Sequence, residues 1–222
     1  SIWLDPWAPE QADRAFQILQ SLFALASGGL FGQGLGQGLP TLIPAVHTDF
    51  VYAALVEEFG LTGAVALTLL LGLLIYRGIA LAQKAEAPFE SLLAGGITAL
   101  FAIQTWVIAG GNAKLIPITG VTLPFLSYGG SSLLTMFLAV GLLLNISAPH
   151  PKTITLSLAA PAILPLSKTT GYLGRALLLL LTSVVLITGD WSVLRAEELR
   201  NYLTNPRRIL AESRIQRGRI LD

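Results

Sequence analysis

Long apolar runs, separated by short stretches that hold glycine, proline and most of the charges, form the main pattern of this sequence. Three of them, at about residues 53–82, 91–109 and 132–147, come close to the roughly 20 residues that cross a bilayer as a helix. A fourth run occupies residues 173–194. The pattern predicts an all-α, polytopic membrane protein with about four transmembrane helices in this chain.

The first 49 residues have a different pattern, amphipathic and rich in glycine, which predicts an outer loop at the membrane surface. Trp3, Trp7 and Phe16 stand among charged side chains, as is typical of the membrane–water interface. A short helix is predicted over residues 17–26. The glycine-rich stretch 31–38 lacks the preceding buried strand of a dinucleotide-binding loop, so we expect a flexible loop whose backbone approaches a ligand or the bilayer.

Composition agrees with a membrane protein and excludes several kinds of site. Hydrophobic residues make up 53% and charged residues 12% of the 222 residues, against roughly a quarter charged in soluble domains. The net charge of +1 gives no strong attraction to nucleic acid. Without cysteine, there is no disulfide framework, thiolate metal site or cysteine nucleophile. Because the chain starts without methionine and stops in mid-pattern, we expect it to be part of a longer protein.

The distribution of basic residues predicts the orientation. Arg77 and Lys84 close the first run, and Lys152, Lys168 and Arg175 lie between the third run and the first residues of the fourth. By the positive-inside rule these connections are cytoplasmic, so residues 1–49 and the loop with Lys114 are extracytoplasmic. The arginine-rich tail, residues 195–222, conflicts with the rule, but long translocated segments escape it, and we expect the tail outside as well.

The few polar groups gather at the outer start of the first run, where His47, Thr48 and Asp49 are followed by Glu57. Thr48 could simply cap a helix whose macrodipole Asp49 complements; alternatively, Asp49 is a carboxylate able to take a proton from a sugar hydroxyl, and His47, Thr48 and Glu57 are candidate substrate-binding residues. Glu57 either faces a cavity or pairs with a neighbouring helix. Together, Asp49 and Glu57 could hold a divalent cation such as Mg²⁺ or Mn²⁺, and no organic cofactor is expected.

Two further groups could bind a lipid-linked substrate. Lys114 is the single cation in the loop after the second run and either meets a phosphate or is solvated. The segment after it is broken by prolines and glycines, so its hydroxyls either bind a polar head-group or satisfy broken helix ends. The hydroxyls are those of Ser127, Tyr128, Ser131 and Ser132, and Gly129 and Gly130 lie between them as part of the same candidate binding segment.

Five separated motifs, in order, resemble the C-terminal part of the SEDS family, the FtsW/RodA/SpoVE glycosyltransferases of cell-wall synthesis. They are Trp3–Trp7, Gln17–Ser21, Gly28–Gly36, His47–Phe50 with Glu57–Gly60, and Pro117–Ser132. The resemblance covers residues 1–147 and implies a ten-helix module whose earlier helices are not in this chain. It departs from many relatives in having no basic residue after the glycine-rich loop, and Leu39-Pro40-Thr41 where they have Leu-Pro-Glu. Lys114 is our candidate to replace that cation.

The resemblance also implies an activity. It implies polymerisation of lipid II into glycan strands, during elongation or division, at the outer face of the bacterial cytoplasmic membrane, with undecaprenyl pyrophosphate as leaving group. The essential aspartate of the His-Thr-Asp-Phe motif maps to Asp49, which would deprotonate the acceptor hydroxyl. We expect this chain to be inactive without the missing helices.

The C-terminal part is similar to the start of a class B penicillin-binding protein. Prolines in residues 148–172 predict a cytoplasmic linker, residues 173–194 a membrane anchor and residues 195–222 the start of an extracytoplasmic pedestal. The resemblance rests on Asn205–Arg208 and Arg217–Asp222, and it implies a transpeptidase partner fused in cis.

Two other functions are compatible with the pattern. A transporter (flippase) of lipid-linked precursors would also have intramembrane acids and broken helices, and a non-catalytic scaffold for a transpeptidase would need only the helices. A transport path needs polar groups near the middle of the membrane, whereas here the acids lie at one outer face. This favours the enzyme.

Overall fold

The computed structural model of the chain describes residues 6–7, 12–85, 87–148 and 166–214. These ranges contain helices and no strand, which confirms the all-α prediction. The α-helices are α1 (Ala12–Gly28), α2 (Val51–Lys84), α3 (Pro88–Asn112), α4 (Gly130–Ser147), α5 (Leu166–Gly189), α6 (Ala196–Arg200) and α7 (Pro206–Arg214). A 3₁₀ turn, Pro40–Leu42, precedes α2, and a π-helical turn, Asp190–Leu194, continues α5. Trp3, the linker prolines and Arg217–Asp222, for which the sequence makes predictions, lie outside the described residues.

Within the described ranges, four helices are long and apolar enough to cross a membrane, as predicted: Val51–Lys84, Pro88–Asn112, Gly130–Ser147 and Thr170–Leu194. They begin or end a few residues beyond the predicted runs. Gly110, Gly111 and Asn112, for example, extend α3 past its last apolar residue, because the backbone hydrogen bonds continue there. The helix predicted over residues 17–26 is likewise part of the longer α1.

Helix α2 is the centre of the bundle and packs against α1, α3 and α5. Polar contacts fix α5 to its neighbours: the Tyr52 hydroxyl lies 2.8 Å from Thr188 Oγ1, and Trp191 Nε1 donates to the Ala113 carbonyl at 2.8 Å. Around them Phe23, Phe50 and other buried apolar side chains form one core. Helix α4 is packed on one side only, and most of its leucines are exposed.

The glycine-rich loop is inserted into a break in α2 at Gly60. At the break, backbone groups of α2 lose their helical partners, and the loop supplies replacements. Two carbonyls of α2 accept hydrogen bonds from loop amides: Glu57 O from Gln33 N and Glu58 O from Gly34 N, both at 2.9 Å. Two amides of α2 donate to carbonyls just before the glycine-rich stretch: Leu61 N to Gly29 O at 2.9 Å and Thr62 N to Leu30 O at 3.1 Å. Part of the loop backbone therefore approaches α2, and its approach to a ligand or the bilayer stays a prediction.

This insertion requires glycine on both sides. Gly60 has φ 68° and ψ −165°, a conformation that is strained for any other residue. A Cβ atom on Gly60 would lie 2.3 Å from the Gly32 nitrogen, and one on Gly32 would lie 2.1 Å from the Glu58 carbonyl oxygen. The break separates an outer part of α2, up to Phe59, from a long apolar part that starts at Leu61.

Candidate functional site

Asp49 lies in a tight turn immediately before α2. The turn is closed by hydrogen bonds from the backbone amides of Thr48 and Asp49 to the Ala45 carbonyl, at 3.2 and 3.0 Å. The Thr48 hydroxyl also donates to Ala45, and no side chain caps the start of α2 at Phe50. Thr48 is therefore not the cap of α2, whereas Asp49 stands directly before the start of the helix, where a carboxylate complements the macrodipole. Within the described part of the chain the Asp49 carboxylate, which is partly exposed, has no hydrogen bond or ion pair.

Asn112, at the end of α3, holds this turn in place. Its amide nitrogen donates to the Asp49 carbonyl at 2.8 Å, and its Oδ1 accepts from the Ala53 amide at 3.1 Å. Its own carbonyl accepts from the Ser21 hydroxyl at 2.8 Å. Asn112 is 2% exposed, so it connects α1, α3 and the start of α2 inside the protein. Sequence reasoning missed it, although a polar residue at the end of a long apolar run was a usable signal.

The broken segment before α4 docks on the other side of the same turn. The Tyr128 amide donates to the His47 carbonyl at 2.8 Å, and the Ser127 hydroxyl donates to the Thr48 carbonyl at 2.6 Å. Ser127 also accepts from the Leu123 amide at 2.8 Å. Its hydroxyl is buried and satisfies the irregular backbone, which is the second of the two predicted alternatives for this residue.

The docking brings several of the predicted substrate-binding residues to the end of the bundle that carries Asp49. The His47 and Tyr128 side chains are exposed there, the latter 78%. Gly129 precedes α4, and Gly130 and Ser131 begin it, so all three follow directly after Tyr128. Lys114 is half-buried and follows Asn112 by two residues, with a backbone φ of 59°.

Glu57 forms a buried ion pair with Arg207 of α7. The Arg207 Nε and Nη2 atoms donate to the two carboxylate oxygens at 2.7 and 2.8 Å. Gln20 accepts from Arg207 Nη1 at 3.0 Å, and the Leu39 amide donates to Glu57 Oε1 at 3.1 Å. The carboxylate is 1% exposed. Glu57 pairs with a neighbouring helix and also lines the cavity beside that pair, so the two predicted alternatives for this residue occur together.

A polar cavity of about 390 Å³ lies beside the ion pair. Its wall includes Gln33, Gln37, Arg200 and Arg208. Arg200 donates to the carbonyls of Ala26 and Ser27, so the tail after α5 packs on the same end of the bundle as the glycine-rich loop and Glu57.

A metal site at Asp49 and Glu57 stays a prediction. Among the described residues, no three histidine or acidic side chains lie close enough to hold a metal ion. Both oxygens of Glu57 already accept from Arg207. Asp49 is therefore the one available carboxylate of this pair, and a single carboxylate does not make a cation site.

The comparison with known families places the chain among cell-wall proteins. A family model described as cell cycle protein, FtsW/RodA/SpoVE, matches residues 1–152. Among curated proteins, the peptidoglycan glycosyltransferase RodA of Mycobacterium tuberculosis (strain H37Rv) is 46% identical over 145 residues, which is 65% of this chain and 31% of that protein. Stage V sporulation protein E of Bacillus subtilis is 48% identical over 147 residues, 65% of this chain and 40% of that protein.

The probable peptidoglycan glycosyltransferase FtsW of Bacillus subtilis is 48% identical over 133 residues, 59% of this chain and 33% of that protein. The chain thus spans about a third of the length of the curated relatives that it matches.

Proposed function

Because the chain belongs to the FtsW/RodA/SpoVE family, we propose that this protein is a peptidoglycan glycosyltransferase that polymerises lipid II, in cell elongation or division. The printed names of the relatives support this activity, since RodA and FtsW are both called peptidoglycan glycosyltransferases. The observation that carries the proposal is the Asp49 carboxylate. It is partly exposed, has no partner in the described ranges, and sits on a turn whose backbone is fixed from two sides.

In this mechanism Asp49 is the general base. It takes the proton from the acceptor sugar hydroxyl, and the resulting oxygen forms a bond to the anomeric carbon of the lipid-linked donor. The bond between that carbon and the pyrophosphate oxygen breaks, and undecaprenyl pyrophosphate leaves with the electron pair. Attack opposite the leaving group inverts the anomeric carbon. A general base has to be held within hydrogen-bond reach of the proton, and the Asn112 and Ser127 contacts restrict the position of the Asp49 backbone.

The neighbouring residues would bind the substrate. His47, Tyr128 and Ser131 present side chains on the exposed surface next to Asp49, and Lys114 would meet the pyrophosphate. Thr48, Gly129 and Gly130 would shape the surface through the backbone and Ser127 through its hydroxyl, while Glu57, paired with Arg207, would bind substrate only from the side of the cavity that it lines. A divalent cation, if it takes part, would need ligands from the substrate in addition to Asp49.

The packing of the tail is an argument for a partner enzyme on the same side of the membrane as Asp49. Helices α6 and α7 pack on the end of the bundle that carries the glycine-rich loop, through Arg200 and Arg207. We propose that this end is extracytoplasmic in the bacterial cytoplasmic membrane, and that the tail leads into a class B penicillin-binding protein fused in cis. Glycan strands would then be formed next to the enzyme that crosslinks them.

The test uses the complete protein, purified and supplied with lipid II, a divalent cation and a penicillin. We expect the wild type to produce glycan ladders and Asp49→Asn to produce none while it keeps the wild-type melting temperature. Asp190→Asn is the matched control, because it removes a partly exposed carboxylate that is already paired with Arg195, at 2.9 Å. It should keep the ladders.

Each other outcome decides against part of the proposal. Ladders from Asp49→Asn would remove Asp49 from catalysis. No ladders from the wild type, together with movement of lipid II across vesicle membranes, would favour a transporter. If the wild type shows neither polymerisation nor lipid II transport, the result would favour a scaffold.

A further inference from the structure

A narrow groove runs between α2 and α4 at the end of the bundle opposite to Asp49. Its volume is about 250 Å³. Two stripes of side chains at helical spacing form its walls, and most of them are apolar. They are Leu74, Gly78 and Leu81 on α2 and Val140, Leu143 and Leu144 on α4. Such walls suit a hydrocarbon chain lying along the helices.

Two basic residues, Arg77 and Lys84, lie on the rim of this groove. They are seven residues apart on α2, which places them on the same face of the helix, about 10 Å from each other along its axis. Both side chains are exposed, and neither has an ion pair or hydrogen bond in the part of the chain that the structure describes. No acidic side chain among the described residues lines the groove.

Arg77 is the more informative of the two. It lies two turns before the end of α2, so its Cα is deeper in the membrane than that of Lys84. An unpaired cation at such a position is costly, and it is normally placed where it has an anionic partner or can reach the interface. A guanidinium group also matches the two free oxygens of a phosphodiester better than an ammonium group does.

We propose that this groove binds an anionic phospholipid of the surrounding bilayer. Its phosphodiester lies between Arg77 and Lys84, and one acyl chain lies along the groove against Leu74 and Leu144. Basic pockets between transmembrane helices on the cytoplasmic side are a known type of site for anionic head-groups. The orientation proposed above makes this end cytoplasmic, but the inference does not depend on the polymerase activity.

The arrangement selects the lipid by charge and by shape. Two cations without a matching carboxylate favour a negative head-group over a zwitterionic one. The apolar walls contribute nothing to the binding of a free head-group, so glycerol phosphate or inorganic phosphate should bind much more weakly than the intact lipid. A site of this kind would hold α4, which otherwise has few contacts with the bundle, against α2.

The test is native mass spectrometry of the complete purified protein with added phosphatidylglycerol, phosphatidylcholine or glycerol phosphate. We expect retention of phosphatidylglycerol alone. Arg77→Gln with Lys84→Gln should weaken that binding about thirtyfold, since each basic side chain near an anionic lipid is worth about 1 kcal/mol and 1.4 kcal/mol is tenfold. A second variant, Val140→Trp, fills the groove and leaves both cations in place; it should weaken binding as well.

Arg175→Gln is the matched control. Arg175 is an exposed cation near the same end of the bundle, but it lies on α5 over the Tyr172 ring and does not line the groove. The Arg175→Gln change should alter the affinity for phosphatidylglycerol by less than about twofold. The proposal is wrong if phosphatidylcholine binds equally well, if Arg175→Gln has the effect of the double variant, or if Val140→Trp binds phosphatidylglycerol like the wild type.

Discussion

The buried pair of Glu57 and Arg207 gives the sharpest prediction, because it joins residues 150 positions apart in the chain. The perturbation is Arg207→Met, which keeps an unbranched apolar side chain of similar length. It removes the two guanidinium donors to the Glu57 carboxylate, at 2.7 and 2.8 Å, and the guanidinium donor to Gln20, at 3.0 Å. The Leu39 amide remains as the one donor to Glu57 among these contacts.

The expected cost follows from burial. Glu57 is 1% and Arg207 7% exposed, and removing one member of such a pair leaves an uncompensated buried charge, at about 3–5 kcal/mol. An exposed pair costs far less. Arg208 and Glu212 are paired at 2.8 Å on the surface of α7, so Glu212→Gln should cost only about 0.3–0.5 kcal/mol.

The cost should appear as opening of the tail rather than as unfolding of the bundle. Arg207 is a main polar link between α7 and the rest of the protein, whereas the transmembrane core does not depend on it. Hydrogen–deuterium exchange of the α7 amides in the detergent-solubilised protein is the appropriate assay. A loss of 3–5 kcal/mol corresponds to exchange that is about 10²–10⁴ times faster, up to the rate of the fully open tail.

The double variant Glu57→Leu with Arg207→Met tests the reasoning itself. Replacing both charges with apolar side chains removes the buried charge, so it should restore most of the protection that Arg207→Met loses. The argument fails if Arg207→Met exchanges within about threefold of the wild type, a change worth well under 1 kcal/mol. It also fails if the double variant is as open as the single one, or if Glu212→Gln opens the tail as much as Arg207→Met does.

Two further predictions concern the turn before α2 and the break inside it. Asn112→Leu keeps the shape of the side chain but leaves the Ala53 amide without its partner, so we expect the free energy of unfolding to fall by about 1–3 kcal/mol. In a polymerisation assay kcat should fall while KM for lipid II changes little. An unchanged kcat would show that Asn112 does not position Asp49. Gly60→Ala introduces both a strained φ and a 2.3 Å contact with Gly32, so the folded yield and melting temperature should drop sharply. Gly72→Ala, where a Cβ meets open space in the same helix, should instead raise stability by about 0.5–1 kcal/mol, and equal effects of the two changes would contradict the role assigned to the break.

Local composition determined the membrane helices and the position of Asp49. A run of apolar residues is stable in lipid only when its backbone bonds are satisfied within the segment, so the four spans could be predicted from the sequence to within a few residues. The same reasoning placed Asp49 at the outer start of α2, since a charge cannot lie far inside such a run at low cost.

The tertiary structure decided how these pieces are joined. The hydrogen bond from Asn112 to Asp49 joins residues 63 positions apart, and the Glu57–Arg207 pair joins residues 150 positions apart. In both cases the sequence around one residue does not indicate which residue is its partner. The glycine pattern shows that the backbone of this loop can make a close contact, but it does not identify the segment that is contacted. In the structure that segment is α2, at the break around Gly60. Burial in lipid is encoded residue by residue, whereas a hydrogen bond between distant segments exists only once packing has brought its donor and acceptor together.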